Sequence, residues 1–187
     1  MKGEILKLLK ESDGYLSGQE LCERFGVSRT AVWKVINQLK EEGYEIEAVR
    51  NKGYILKSVS DVLSKEELES SLKTRWAGKE ILYFDRTDST NIQARLAGEA
   101  GASHGTLAVA EIQDGGRGRR GRSWVSPAGV GIWMSLLLRP EISPISASTL
   151  TLVMALAAQK GIKEATGIES QIKWPNDLVL NKKKICG

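Results

Sequence analysis

The chain has 187 residues, of which 41% are hydrophobic and 27% charged, and its formal net charge is +4. These values are typical of a globular protein with a buried core, and they exclude a disordered or fibrous chain. A single histidine, His104, excludes a histidine-rich metal centre, and the two cysteines, Cys22 and Cys186, lack the spacing of a disulfide or zinc site. No apolar stretch is long enough to span a bilayer, so we expect a cytoplasmic protein with no membrane partner.

The first 58 residues predict a winged helix-turn-helix. Apolar residues recur at helical spacing in three short segments, and the tight turn Gly26-Val27 separates the second from the third. Ser17 and Glu20 form a capping box at the start of the second helix, and Ser28 caps the third. Two strands follow, joined by the turn Arg50-Asn51-Lys52-Gly53, which makes a basic wing.

The third predicted helix has an apolar face and a polar face. Polar side chains at the start of such a helix can read base edges, while basic side chains around it contact phosphates. The residues that we expect to contact DNA are Ser28, Arg29, Thr30, Trp33, Lys34, Asn37, Arg50 and Lys52. A protein-interaction module with a merely solvated outer face is the alternative, and nearby glutamates reduce the positive charge. We favour DNA binding.

The sequence pattern changes after a short connecting segment. Residues 59–78 predict a polar linker and a connecting helix that starts at the capping box of Ser64 and Glu67. A strand at Ile81–Phe84 then leads into a turn, residues 85–91, that is rich in helix-capping side chains. A helix beginning near Asn91 would present free backbone N–H groups to a polar ligand. Plain capping without a ligand explains the same residues.

The most distinctive segment is Gly115–Trp124, in which four glycines alternate with four arginines. It follows a predicted strand, residues 106–113, whose last residue, Gln113, is suited to an amide-like ligand. Glycine lets the backbone approach a ligand, and arginine binds phosphate or carboxylate with two parallel hydrogen bonds. We therefore interpret the segment as a loop that closes over an anion. A solvated loop or a disordered nucleic-acid arm is the alternative.

Two phosphate-binding motifs are excluded in this loop. The spacing of Gly116, Gly118 and Gly121 matches the dinucleotide fingerprint, but that motif must open a helix, and here an apolar strand follows at residues 132–138. A P-loop requires Gly-Lys-Ser/Thr after its glycines, which the sequence lacks.

The remaining residues predict a helix and a small group of strands. The helix, from Ala147 to about Glu164, should be a core helix because of Leu150, Val153, Met154, Leu156 and Ala157. A strand should end in the segment Lys173–Asp177 and resume at Leu178–Leu180. We expect the lysine-rich segment Asn181–Lys184 to be a solvated hairpin turn.

Three of these segments together resemble the biotin protein ligases, in the bifunctional form that also represses the biotin operon. They are Asp88–Asn91, the arginine loop with Trp124, and Lys173–Asp177, and the resemblance covers essentially the whole chain. It implies an α/β (α+β) protein with an N-terminal winged helix-turn-helix, residues 1–58, and a connecting region, residues 59–78. The mixed-sheet catalytic domain, of the class II synthetase-like type, would occupy residues 79–187. Because family members continue with more strands and a small barrel, we expect this domain to lack its C-terminal part.

The resemblance also implies an activity. The family activates biotin with ATP to biotinyl-5'-AMP and transfers it to a lysine of the biotin carboxyl carrier domain of acetyl-CoA carboxylase. The adenylate acts as corepressor, so operator DNA and a homodimer in the adenylate-bound state are the other expected partners. Mg²⁺ should accompany the phosphates, although we identify no dedicated pair of metal ligands. A regulator that senses biotin or its adenylate without ligase activity, and a lipoate ligase, are the alternatives.

Site residues are carried over from the resemblance position by position. Those expected at biotin are Ser89, Thr90, Asn91, Gln113, Arg117, Gly118, Arg119 and Lys184. Those expected at ATP or the adenylate are Arg119, Arg120, Arg122, Trp124, Lys173, Asn176 and Asp177. Arg117, Arg119 and Lys184 should take part in catalysis. Counting onward from Asp177 in the motif selects Lys184, with Lys183 as the fallback.

Overall fold

The computed structural model describes residues 1–58, 63–118 and 121–187. It divides into two compact units, Met1–Leu138 and Arg139–Gly187. The first unit contains the helix-turn-helix, the connecting helix and one sheet, and the second contains a long helix and another sheet. The boundaries expected after residues 58 and 78 stay predictions.

The helix-turn-helix forms as its caps and apolar spacing predict. Helices α1 (Lys2–Glu11), α2 (Gly18–Phe25) and α3 (Arg29–Glu41) precede the antiparallel wing strands β1 (Glu45–Val49) and β2 (Gly53–Ser58). The Ser17 hydroxyl oxygen accepts the N–H of Glu20 at 3.0 Å, and that of Ser28 accepts the N–H of Ala31 at 3.2 Å. Both predicted N-caps are therefore confirmed.

One apolar cluster holds these elements together. It contains Ile5, Leu6, Leu9, Leu21, Val32, Val35, Ile36, Leu39, Tyr44 and Ile46, all buried. Each large aliphatic side chain removed from water in this way contributes about 1.5–3 kcal/mol. The inward face predicted for α3 is confirmed, because its four apolar residues all belong to the cluster.

The wing is attached to the segment between α1 and α2 through backbone contacts. Leu16 and Tyr54 exchange two backbone hydrogen bonds, each of 2.8 Å. Gly53, beside Tyr54, has φ +113°, and a Cβ there would lie 2.0 Å from the Leu16 carbonyl oxygen. A side chain at this position would therefore separate the wing from the helices.

The connecting helix α4 (Lys65–Ser71) packs against α1 through charged side chains. The Lys2 ammonium lies 3.0 Å from Glu66, and the Lys10 ammonium donates to Glu67. Burial alone would lower the pKa of Lys2, but hydrogen bonds to carboxylates, including that of Glu66, outweigh it and raise this pKa.

The helix-turn-helix core also contacts α4. The Tyr44 hydroxyl donates to the Glu67 carboxylate at 2.9 Å. Burial, with this carboxylate nearby, raises the pKa of Tyr44 to about 12. Ion pairs to α1 and the buried Tyr44 hydroxyl both hold α4 in place. Helix α4 therefore packs as part of the helix-turn-helix.

A three-stranded sheet follows α4, in the order β3-β4-β5. Strands β3 (Ile81–Thr87) and β4 (Leu107–Gln113) are parallel, helix α5 (Thr90–Glu99) connects them, and β5 (Trp133–Leu136) is antiparallel to β4. The predicted end of β3 at Phe84 is wrong, because pairing with β4 continues to the pair Thr87 and Gln113.

The second unit contains helix α6 (Thr149–Thr166) and the antiparallel strands β6 (Gln171–Lys173), β7 (Asp177–Leu180) and β8 (Lys183–Cys186). The predicted turn Asn181–Lys184 is too long. Only Asn181 and Lys182 turn, with φ of +48° and +65°, as a two-residue hairpin connection requires. The two lysines that follow belong to β8.

The prediction that α6 is a core helix is wrong within the part of the chain that the structure describes. Of the five residues predicted to be buried, Leu150 is half-buried and the other four are exposed, including Val153 at 56% and Leu156 at 58%. The only buried α6 residue is Ala155. Apolar spacing predicts the face of a helix that is suited to burial, but a small sheet that contacts α6 through β6 and β7 does not cover that face. No described helix has the length and apolar character needed to cross a membrane.

The substitution Gly53→Ala tests the attachment of the wing. We expect it to lower the free energy of unfolding by about 2–4 kcal/mol, because it combines backbone strain at positive φ with a clash against a backbone oxygen. Urea denaturation of the whole chain measures the change. Gly14→Ala is the control: a Cβ there meets nothing within 4 Å. Equal stabilities of the two variants would contradict this account of the wing.

Candidate functional site

A polar cluster lies where the first two strands of the sheet end. The last paired residues of β3 and β4 are Thr87 and Gln113, so α5 begins beside the Gln113 side chain. The Gln113 side-chain oxygen accepts hydrogen bonds from the backbone N–H of Thr90 at 2.8 Å and from its hydroxyl at 3.0 Å. Ser89 and Thr90 are buried, whereas Asn91 is exposed on the next position of α5. The structure therefore brings Ser89, Thr90 and Gln113 together and places Asn91 beside them.

Plain helix capping does not explain this cluster. Ser89 is the N-cap residue of α5, but its side chain makes no capping hydrogen bond. The first N–H group of the helix is instead bound by Gln113, which is 23 positions away in the sequence. The alternative that these residues merely cap a helix locally is therefore wrong for Ser89.

Asp88 organises the turn before α5. Its carboxylate accepts hydrogen bonds from the Gln93 side chain at 3.0 Å and from the Ser89 N–H at 2.6 Å. These donors, with Gln93 the stronger contributor, hold the pKa of Asp88 below its ordinary value. The ionised carboxylate therefore helps fix the position of Ser89.

Two serines that the sequence analysis missed complete the cluster. The Gln113 side-chain N–H donates to the Ser126 hydroxyl at 3.0 Å, and Ser135 lies 2.9 Å from the Thr90 hydroxyl. Ser126 is 3% exposed, and Ser135 belongs to β5. Only pairing across the sheet brings these residues together, so no local sequence signal reveals them.

The arginine loop is anchored to the same strand ends. The N–H groups of Asp114 and Gly115 donate to the carbonyl oxygens of Thr87 and Asp88 at 2.9 and 2.7 Å. Arg86 forms an ion pair with Asp114 at 2.8 Å. The acid that directly precedes the arginine loop therefore forms an ion pair with an arginine from β3.

Beyond this anchor the loop folds back on itself. The Trp124 N–H donates to Gly116 at 2.8 Å, and the Gly118 N–H donates to Arg122 at 2.7 Å. A Cβ on Gly116 would lie 2.3 Å from the Trp124 carbonyl oxygen, so the close approach of the two arms requires glycine.

The predicted loop residues occupy different environments. Arg117 and Arg122 are exposed, and Gly118 and Trp124 are half-buried, while Arg119 and Arg120 lie outside the described residues. Among the described residues between Trp124 and β5 there is no helix, which agrees with the exclusion of a dinucleotide-binding turn.

The predicted residues of the second unit lie on its hairpins. Lys173 and Asp177 are paired across the turn between β6 and β7, and Asn176 lies in that turn. The Lys184 ammonium, from β8, lies 2.7 Å from the Asp177 carboxylate, with about a third of the Lys184 side chain exposed. Lys183 is paired with Leu180 and is exposed.

The predicted DNA-contact residues lie at the start of α3, along α3 and in the wing turn. Thr30, Trp33 and Lys34 are exposed on α3, and Asn37 is half-buried. The Arg29 guanidinium donates to the Gln19 side chain at 2.9 Å, which orients it at the start of α3.

Between the helix starts and the wing lies a groove. It has a volume of about 430 Å³, and its lining includes Gln19, Arg29, Arg50, Asn51 and Lys52. The Lys52 ammonium lies 5.6 Å from the centre of the Tyr15 ring, a cation–π arrangement that supports the tip of the wing. The groove therefore presents cations from two separate elements to a common surface.

Models of two domain families match the chain. The biotin/lipoate A/B protein ligase family matches residues 83–187, more than half of the chain, and a helix-turn-helix domain matches residues 3–55. The chain belongs to the biotin/lipoate A/B protein ligase family. The predicted family and the predicted helix-turn-helix are thereby confirmed, as is the mixed α/β fold class.

Among curated proteins, the bifunctional ligase/repressor BirA of Bacillus subtilis (strain 168) is 44% identical over 188 residues, covering 100% of this chain and 58% of that protein. BirA of Escherichia coli (strain K12) is 33% identical over 184 residues, covering 98% of this chain and 56% of that protein. This chain thus spans somewhat more than half the length of these relatives.

A solved structure is also similar. The biotin protein ligase from Aquifex aeolicus in complex with biotin and ATP has a TM-score of 0.50 and 36% sequence identity. The similarity covers 57% of this chain and 44% of that chain. It supports the ligase fold of the sheet region.

Because the pKa of Asp88 is lowered, part of the free energy of unfolding should depend on pH. Asp88→Asn should remove that part. A depressed folded-state pKa stabilises the protein above the unfolded-state value, near 3.8, and this contribution is lost as the pH falls through the folded-state pKa. We therefore expect a shallower fall in unfolding free energy below about pH 4 in the variant. Urea denaturation at a series of pH values measures the slope. Asp13→Asn, at an exposed turn position, should leave the slope unchanged; an equal effect there would contradict the assignment to Asp88.

Proposed function

We propose that this protein activates biotin with ATP to biotinyl-5'-AMP, transfers it to a lysine of a biotin carboxyl carrier domain, and represses biotin genes when the adenylate is bound. One observation carries the proposal. In a chain of this family, an arginine-glycine loop starts at the strand ends that also hold a buried cluster of hydroxyls and a carboxamide. A positively charged loop beside a cluster of neutral polar side chains suits a ligand with one anionic end and one uncharged polar end.

The neutral end of biotin would bind in the polar cluster. Ser89, Thr90 and Gln113 offer hydroxyl and carboxamide groups in a buried setting, and Asn91 offers a further amide beside them. Buried hydrogen-bonding groups of this kind discriminate strongly against ligands that lack the matching groups. The ureido ring of biotin, which carries both donors and an acceptor, is the ligand group that these residues suit.

The arginine loop would act on the anionic end. A carboxylate must attack the α-phosphate of ATP, and two anions repel each other, so fixed positive charge lowers the barrier. Arg117, Gly118 and Arg119 would cover biotin and the adenylate, while Arg120, Arg122 and Trp124 would bind the nucleotide. The mixed anhydride product reacts with water, and closure of the loop over it would protect it until the acceptor lysine arrives.

The second unit carries three further candidates for biotin activation, which the family resemblance implies. Lys184 is our candidate for the lysine at the biotin carboxylate and α-phosphate, and its ion pair with Asp177 supports this choice over Lys183. Lys173 and Asn176 would line the same activation site.

Magnesium would enter with ATP. Among the described residues, no group of three or more histidine, cysteine, aspartate or glutamate side chains is placed to hold a metal ion. Mg²⁺ bound to nucleotides takes most of its ligands from phosphates and water, and we assign no side chain of this protein to it.

The helix-turn-helix would bind operator DNA. Its polar α3 face and basic wing suit base edges and phosphates, respectively. A palindromic operator is read by a dimer, so we also propose that the adenylate promotes homodimerisation. Binding to DNA, together with two free cysteines, fits a cytoplasmic location.

A second candidate is a regulator that senses biotin or its adenylate without transferring it. It is favoured by the placement of the helix-turn-helix and the polar cluster in the same compact unit. Lipoate ligation is the third candidate, because the family name covers both acids.

Incubation with ATP and labelled biotin separates these functions. A ligase forms biotinyl-AMP, releases pyrophosphate and labels a carrier domain, whereas a sensor binds biotin without releasing pyrophosphate. Replacing biotin with lipoate tests the third candidate. Pyrophosphate release with lipoate but not with biotin would overturn the proposal.

Lys184→Gln should abolish most biotin activation. It removes a charge from the reacting phosphate, which we expect to cost about 100-fold or more in the rate of pyrophosphate release. Thermal unfolding should change little, because the side chain is partly exposed. Lys183→Gln is the matched control on the same strand; a larger loss there would show that the catalytic lysine is Lys183.

Lys52→Ala should weaken operator binding and should also reduce the salt dependence of that binding. Loss of one phosphate contact lowers the slope of log K against log salt by about 1. Titration of operator DNA at several salt concentrations measures the slope. Lys7, an exposed lysine on α1 outside the predicted DNA face, is the control. If Lys7→Ala changed the slope as much as Lys52→Ala, the wing would not be the phosphate contact.

A further inference from the structure

The polar cluster at the ends of β3 and β4 forms a directed chain of hydrogen bonds. Its bonds link Ser135 to Thr90 at 2.9 Å, Thr90 to the Gln113 oxygen at 3.0 Å, and the Gln113 nitrogen to Ser126 at 3.0 Å. The Ser126 hydroxyl then donates to the Trp124 carbonyl oxygen at 3.2 Å. The hydrogen-bond chain therefore runs from β5, through the candidate biotin-binding residues Thr90 and Gln113, to the arginine loop.

Two backbone groups set the direction of every bond in this chain. The Thr90 backbone N–H can only donate, so the Gln113 oxygen must face it. The Trp124 carbonyl can only accept, so Ser126 donates to it and accepts from the Gln113 nitrogen. Because a backbone donor fixes the oxygen side of the Gln113 carboxamide and a backbone acceptor fixes the direction of its bond to Ser126, the carboxamide has one permitted orientation.

We propose that Ser126 is a positioning residue of the ligand site, which holds the Gln113 carboxamide in this orientation. The inference rests on the proposed function for the identity of the ligand, biotin. Ser126 is well placed for the role: it is 3% exposed, and its backbone carbonyl also accepts the Gln113 N–H at 3.1 Å. Backbone and side chain of Gln113 are thus held by the same residue.

This arrangement also limits what Gln113 can offer a ligand. A carboxamide oxygen accepts two hydrogen bonds, and both are used by Thr90. The nitrogen has two N–H groups, of which Ser126 takes one. With respect to the residues that the structure describes, Gln113 therefore presents one N–H donor and no acceptor, so the ligand atom that it contacts must be an acceptor, such as a ureido carbonyl oxygen.

Ser126→Ala tests the proposal, with Ser170→Ala as the matched control. Ser170 is 4% exposed, but its hydroxyl has no hydrogen-bond partner among the described residues. The two variants therefore remove the same atom from equally buried positions, and only one of them breaks a bond to Gln113.

The first measurement is biotin binding by calorimetry on the full chain. We expect Ser126→Ala to raise the Kd about threefold to tenfold, the usual range for one lost hydrogen bond, and Ser170→Ala to leave it unchanged. In a Gln113→Met background, Ser126→Ala should have no further effect, because the group that it positions is gone. No change in Kd from Ser126→Ala, or an equal loss in both backgrounds, would overturn the proposal.

The second measurement needs no ligand. In protein labelled with ¹⁵N at glutamine, the Gln113 side-chain signal is identified by its loss in Gln113→Met. We expect Ser126→Ala to shift this signal, because one Gln113 N–H loses its acceptor, and Ser170→Ala to leave it in place. An unmoved signal in Ser126→Ala would overturn the positioning role. If the wild-type protein did not bind biotin, the proposed function would fall, and this signal would still decide what Ser126 does.

Discussion

The parallel pairing of β3 with β4 is the constraint on which the candidate site depends. Because the pairing continues to Thr87 and Gln113, both strands end at the same level of the sheet. Helix α5 and the arginine loop therefore start side by side, and the carbonyl oxygens of Thr87 and Asp88 bind the first N–H groups of the loop. A shift of one residue in this register would move Gln113 to the opposite face of the sheet, away from Thr90.

The loop combines a rigid base with a charged outer part. Its arms are joined by backbone hydrogen bonds at Gly116, Gly118, Arg122 and Trp124. The arginines that the structure describes, Arg117 and Arg122, are exposed, so their charge costs little desolvation in the absence of a ligand. A scaffold that fixes the base and leaves the charged groups in water is a common way to build a binding loop.

Local patterns in the sequence predicted the helix-turn-helix well, because caps and apolar spacing act over a few residues. Ser17, Ser28 and the inward face of α3 are examples. The roles of Ser126 and Ser135 could not be predicted, since strand pairing brings them to Gln113 and Thr90 from distant parts of the sequence. The prediction for α6 failed for a related reason: the sequence specifies an apolar face, but burial also requires something to cover it. The lysine-rich turn was placed wrongly because a two-residue turn at Asn181 and Lys182 leaves Lys184 on a strand, where it meets Asp177.

The attachment of α4 to α1 changes where the helix-turn-helix part of the molecule should be considered to end. Cutting the chain after residue 58 would remove Glu67, the carboxylate to which both Lys10 and the Tyr44 hydroxyl donate. Tyr44 belongs to the apolar core of the helix-turn-helix. A self-sufficient helix-turn-helix fragment should therefore extend through Ser71, past the last residue of the helix-turn-helix match. Any swivel between the helix-turn-helix and the three-stranded sheet would then lie between α4 and β3, and α4 would move together with the helix-turn-helix.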